Sequence, residues 1–181
     1  MLSSEKILQQ AFEKFEKSSK LPRWLNFKAN KLNEECDETS KKYNFYKRGT
    51  IINVNFGVNI GSEYCGTHFA VVLNKKDNPY QRVLTVVPLT SKNHKSFVNL
   101  NFELFKLFYE YTERMIDDKK DLLNKVERYN KNTNCCVSSI TTISKEKIIY
   151  DKNIFSPIGR VRICDKSLNK IDAKIKEFFI K

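Results

Sequence analysis

The stretch RGTIINVNFGVNIGSEYCGTHFAVVLN, residues 48–74, followed by VLTVVPLTS, residues 83–91, decides how this chain is read. Four of the protein's five glycines fall between Gly49 and Gly66. Glycine is needed where the backbone takes a positive φ or passes close to another group, so this clustering marks a shaped loop. Ile51, Ile52, Val54 and Phe56 favour a first strand over Ile51–Phe56 by residue type. Ala70-Val71-Val72-Leu73 and Val83-Leu84-Thr85-Val86-Val87 are apolar runs of the kind found in strands covered on both faces. They predict strands over Phe69–Asn74 and Val83–Leu89, joined by the turn Asp77-Asn78-Pro79. The polar tip Gly61 to His68 lies between the first two strands, and Thr90-Ser91 ends the third. Three strands bring one long loop, a histidine and a threonine into proximity, and the function is expected there.

Upstream, Ser4 caps an expected helix running to about Ser18, with Ile7, Leu8, Ala11, Phe12 and Phe15 at helical spacing. A second helix is predicted from about Pro22 to just before Asp37, packing through Trp24, Leu25, Phe27, Ala29 and Leu32. Residues 1–47 therefore read as a helical extension, with Asn44–Lys47 as a linker. Downstream, a basic loop, Lys92-Asn93-His94-Lys95, precedes a short strand over Phe97–Asn101. Residues 102–131 have the pattern of a long amphipathic helix, with Phe105, Phe108, Tyr111, Met115, Leu122, Val126 and Tyr129 along one side. Strands are expected over Cys135–Ile140 and Pro157–Ile163, a helical turn over Ile143–Ile148, and a terminal helix over Lys166–Ile180. Short strands decorated by helices indicate an α+β fold with a mainly β, barrel-like core.

At 181 residues the chain is long enough for one well-buried core and too short for two large domains. No apolar run approaches the roughly 20 residues that span a bilayer, and no leader segment is evident. A cytoplasmic protein with no membrane association is expected. Five cysteines, an odd number without a framework, fit reduced thiols. Cys65 and His68 with Cys135-Cys136 can be written as a zinc set. No second spaced pair supports it, and adjacent strand residues face opposite ways, so no cofactor is expected. Of the net charge of +12, residues 48–100 and 141–181 carry +9, while residues 101–131 are balanced. A field of that sign attracts polyanions, nucleic acid above all.

Arg48-Gly49, Ile60-Gly61-Ser62-Glu63, Ala70–Asn74 and Val87-Pro88-Leu89-Thr90 together resemble the MazF/PemK family of toxins from type II toxin–antitoxin systems. Ser139–Lys145 is similar to that family's "RTID-K" segment, and Ile158-Gly159-Arg160-Val161 to its last strand. The resemblance covers about residues 48–100 and 134–181, leaving residues 1–47 as an extension and 102–131 as an insertion. It implies a small SH3-like β-barrel of the MazF/CcdB type, a homodimer, and a cognate antitoxin. It also implies metal-independent cleavage of single-stranded RNA, in which the 2′-hydroxyl attacks phosphorus to leave a 2′,3′-cyclic phosphate and a 5′-hydroxyl. The family's catalytic threonine falls on Thr90 and its catalytic arginine position on His68. The usual acidic residue after Arg-Gly is replaced by Thr50.

An imidazole, with an ordinary pKa near 6.5, is a better general base at neutral pH than a guanidinium above 12. It is a poorer source of permanent charge, so Arg48 or Lys92 is expected to compensate. His94 is placed to protonate the leaving oxygen. Ser62, Glu63, Tyr64 and Ser91, with Arg48, Lys92 and His94, complete the expected RNA contacts. A second reading is a catalytically weak barrel that binds RNA or a protein such as an antitoxin or gyrase, docking through 102–131. A free-standing DNA regulator lacks a recognition helix.

Overall fold

The structure, a computed structural model, describes residues 3–4, 6–7, 10, 19–37, 41–115, 126–150 and 157–180. These fall into two compact units, one formed by residues 1–41 with 56–67, the other by 42–55 with 68–181.

The first unit holds helix α1, Leu21–Asp37, with Pro22 in its first turn, where a missing N–H costs no helical bond. Its partly buried side chains are Leu21, Trp24, Phe27 and Lys31, whereas Leu25 and Leu32, expected to pack, are half exposed. Trp24 and Phe27 stack at 5.6 Å. The indole lies against Gly57, where an added Cβ would sit 2.6 Å from the ring. That close approach, together with φ of +90°, explains the glycine. The expected helix over Ser4–Ser18 lies mostly outside the described residues.

The second unit is built on a six-stranded antiparallel sheet. Its strands are β1 (Ile51–Asn55), β2 (Thr67–Val72), β3 (Val83–Thr90), β4 (Val98–Asn99), β5 (Asn134–Cys135) and β6 (Thr141–Ser144). The order is β1-β2-β3-β5-β4, with β6 also paired to β3. The pairing does not close into the expected barrel; toward the later chain Thr50 bridges to Arg162 and Val54 to Ile148, with further backbone hydrogen bonds from Ile51 N to Val161 O and from Gly159 N to Ile51 O. The strand expected over Pro157–Ile163 is instead a turn, with Arg160 N bonded to Pro157 O and Gly159 at φ +78°. Only Arg162 forms a bridge, because a proline and a positive φ interrupt extended pairing. The strand expected over Cys135–Ile140 stops after Cys135 and becomes a 3-10 turn, Val137–Ser139. The helical turn expected over Ile143–Ile148 arrives late, since β6 runs to Ser144 and the 3-10 turn is Lys145–Lys147.

Helix α2, Glu103–Glu113, occupies the start of the expected long helix; residues 116–125 lie outside the described chain, and 127–129 form a 3-10 turn. Leu104, Phe108 and Thr112 of α2 are buried, and Phe108 packs edge-on against Phe69 and Tyr129. The element expected as a decoration thus fills the core, because its apolar stripe covers one face of the sheet. Helix α3, Asp165–Phe179, buries Leu168 and Ile171 there too. Glu103 holds its start, Oε1 accepting from Cys164 N at 2.7 Å and Oε2 accepting from the Ser167 hydroxyl. A carboxylate there offsets the unpaired N–H groups and positive end of the helix.

A buried ion pair joins the turns of this unit. Lys145 Nζ donates to Asp77 Oδ1 at 2.8 Å and to the carbonyls of Asn44 and Asn78, each at 3.1 Å. Asp77 Oδ2 accepts from Tyr46 N. All three ammonium protons are used, the condition under which a buried charge is tolerated. Among the described residues, no helix is long and apolar enough to cross a membrane.

Candidate active site

Strands β2 and β3 pair with Ala70 opposite Pro88, Val71 opposite Val87 and Val72 opposite Val86. Leu73 N donates to Thr85 O, so 73–85 is a hydrogen-bonded pair, and alternation makes 72–86 and 70–88 non-hydrogen-bonded pairs. The recorded pairing ends at Ala70–Pro88, two residues short of His68 near the start of β2 and of Thr90 at the end of β3. Pro88 fits the same logic, since its missing N–H falls where no bond to β2 is made. His68 is partly buried.

Beyond Thr90 the chain turns sharply. Thr90 Oγ1 accepts from Lys92 N at 3.1 Å, which leaves the hydroxyl proton for donation elsewhere. Asn134, opposite Thr90 on β5 and 1% exposed, donates through Nδ2 to Lys92 O at 2.9 Å. Lys92 is therefore gripped at both its backbone polar groups while its side chain stands in solvent. Among the described residues no carboxylate pairs with its ammonium. Ser91 is exposed on the same turn.

His94 is also exposed. Its Nδ1 accepts from Ser96 N at 3.2 Å and lies 2.6 Å from Ser96 Oγ, so the neutral ring carries its proton on Nε2.

Arg48 does not join this group. Its guanidinium donates to Leu73 O and pairs with Asp172 of α3. Leu73 is five residues along from His68, about 16 Å at the rise of a strand. Arg48 ties α3 to the sheet there, and its carbonyl accepts from Arg162 Nε at 2.7 Å.

Ser62, Glu63 and Tyr64 belong to the first unit. Ser62 and Glu63 are exposed, and Tyr64 packs edge-on against Phe56 at 5.3 Å. The loop is closed by Phe56 N to Gly66 O and Gly66 N to Gly57 O. Asn59 reinforces it, donating to Tyr64 O and to Cys65 Sγ. Cys135 is buried, and burial first, then Cys136 and Glu103, push its thiol well above the ordinary range, so it stays protonated.

Sequence reading passed over Asn134, which lies between the expected helix over 102–131 and the expected strand over 135–140. No local signal marks it, because its significance comes from pairing with Thr90. No curated protein matches the chain. The family of PemK-like, MazF-like toxins of type II toxin-antitoxin systems has a model that matches residues 47–179, a span running through 102–131, and the chain belongs to that family.

Proposed function

We propose that this toxin is an endoribonuclease cutting single-stranded RNA without a metal, held in check by a cognate antitoxin and acting as a homodimer. What supports the reading is the family match over residues 47–179, together with a β2–β3 register that runs toward His68 on one strand and Thr90 on the other. In this mechanism His68 takes the proton of the RNA 2′-hydroxyl. The 2′-oxygen attacks the adjacent phosphorus, and the bond from phosphorus to the 5′-oxygen breaks. That oxygen takes a proton from water, with His94 Nε2–H as a neighbouring donor. The ends are a 2′,3′-cyclic phosphate and a 5′-hydroxyl.

Thr90 donates its free hydroxyl proton to a phosphoryl oxygen as charge accumulates there. A histidine carries no permanent charge at neutral pH, so a second group must supply one. Arg48 is engaged elsewhere, which leaves Lys92 on the turn after Thr90. Ser91 and, on the family resemblance, Ser62, Glu63 and Tyr64 complete the RNA contacts, where an aromatic face suits an unpaired base.

The test is cleavage by purified wild-type and His68→Ala protein in EDTA, with both product ends identified. Cyclic phosphate and 5′-hydroxyl ends, lowered at least a hundredfold in the variant, are expected. Intact RNA that remains tightly bound by antitoxin-free wild type would move the assignment to a binding module.

A further inference from the structure

We propose that Asn134 is a positioning residue of this site, holding the Thr90–Lys92 turn so that the Lys92 ammonium faces the scissile phosphate. The inference rests on the nuclease reading above.

Asn134 lies between two strands, opposite Thr90 of β3 and Asn99 of β4. Its backbone is fixed by the sheet, and its side chain shares the sheet face of Thr90. The amide sense is set by its neighbour, because turning it over would bring Oδ1 against the Lys92 carbonyl. In the observed sense Oδ1 is buried and has no hydrogen-bond partner among the described residues. A buried acceptor left unsatisfied lowers stability, so an apolar residue of the same shape would serve the fold at least as well. What an apolar residue cannot do is grip Lys92 O.

The grip matters because, among the described residues, the Lys92 backbone has two such holds. Thr90 Oγ1 takes the Lys92 N–H, and Asn134 takes the Lys92 C=O. With Asn134 gone, the hydroxyl that must hydrogen-bond the phosphate would be the remaining hold on the lysine. The direction of the lysine stem from the backbone would then be free to vary. Charge stabilisation depends on aim at the developing charge, so a misdirected ammonium lowers turnover more than substrate affinity.

The test uses the full-length protein and a single-stranded RNA oligonucleotide, with Asn134→Leu, Lys92→Ala and the double variant. Leucine repeats the branched skeleton of asparagine while removing both the donor and the orphaned acceptor. Expected for Asn134→Leu are a Tm equal to or above wild type, a kcat reduced ten- to hundredfold, and a KM changed less than threefold. In the double variant the Asn134 substitution should add little to the loss from Lys92→Ala, because it acts through that lysine. Should the leucine variant fail to fold, Asn134→Ser, whose hydroxyl is too short to reach Lys92 O, is read for the same kcat and coupling. Wild-type cleavage with an unaffected kcat in the variant, or losses that multiply with Lys92→Ala, would overturn this inference alone. Wild-type protein that leaves the RNA intact would overturn the nuclease reading and this inference with it.

Discussion

Two cations were candidates to support the histidine, and their surroundings separate them. Arg48 spends its guanidinium on Leu73 O and Asp172, whereas Lys92 keeps its ammonium in solvent beside Thr90. Lys92→Ala should therefore lower kcat about ten- to hundredfold and leave the urea midpoint unchanged. Arg48→Ala should do the reverse, costing about 1–2 kcal/mol of stability, with turnover per folded molecule retained. Steady-state kinetics and urea titration of the two variants check this. His68 and Thr90 were picked out by contiguous motifs that carry the family resemblance. How β2 and β3 pair was not legible, since it depends on a register between strands. Lys145 was read as part of a family segment, and its burial against Asp77, 68 positions earlier, has no local trace.

Among the elements, the glycine loop and α1 give the sharpest test. Trp24 is the chain's one tryptophan, so its emission reports on the first unit alone. Gly57→Ala places a Cβ into the indole and forces a residue with a side chain to a positive φ. A red shift of Trp24 emission and faster proteolysis within residues 19–41 and 56–67 are expected, with the β-sheet circular dichroism retained. The expected strands over 51–56, 69–74 and 83–89 appear within two residues at each end because β-branched runs dictate them. The weaker stretches 135–140 and 157–163 lost their strand character to pairing geometry, and α2 proved to be core because tertiary packing, not periodicity, decides what an apolar stripe covers.

For the protein taken together, two buried acids set an alkaline limit. Burial, reinforced by Tyr150, holds the Tyr46 phenol well above its ordinary 10.0, and burial holds the Cys135 thiol above its ordinary 9.0. Both are neutral in the folded and unfolded states near pH 7. As pH rises past about 9 for the thiol and 10 for the phenol, the unfolded chain ionises first and binds fewer protons than the folded one. Stability is therefore fully present below those values and falls as pH rises, by about 1.4 kcal/mol per pH unit for each group titrating. Urea midpoints between pH 7 and 10.5 should show this decline, and Tyr46→Phe should flatten the part above pH 10. Local chemistry along the chain determined the main strands, the shaped glycine loop, the basic character of 48–100 and 141–181, and the order of motifs that marks the family. These are properties of neighbouring residues and survive without folding. The loss of Arg48 to Asp172 and the grip of Asn134 on Lys92 join residues 124 and 42 positions apart. They exist only once the sheet has paired, because hydrogen-bond register, and not residue type, selects which side chains meet.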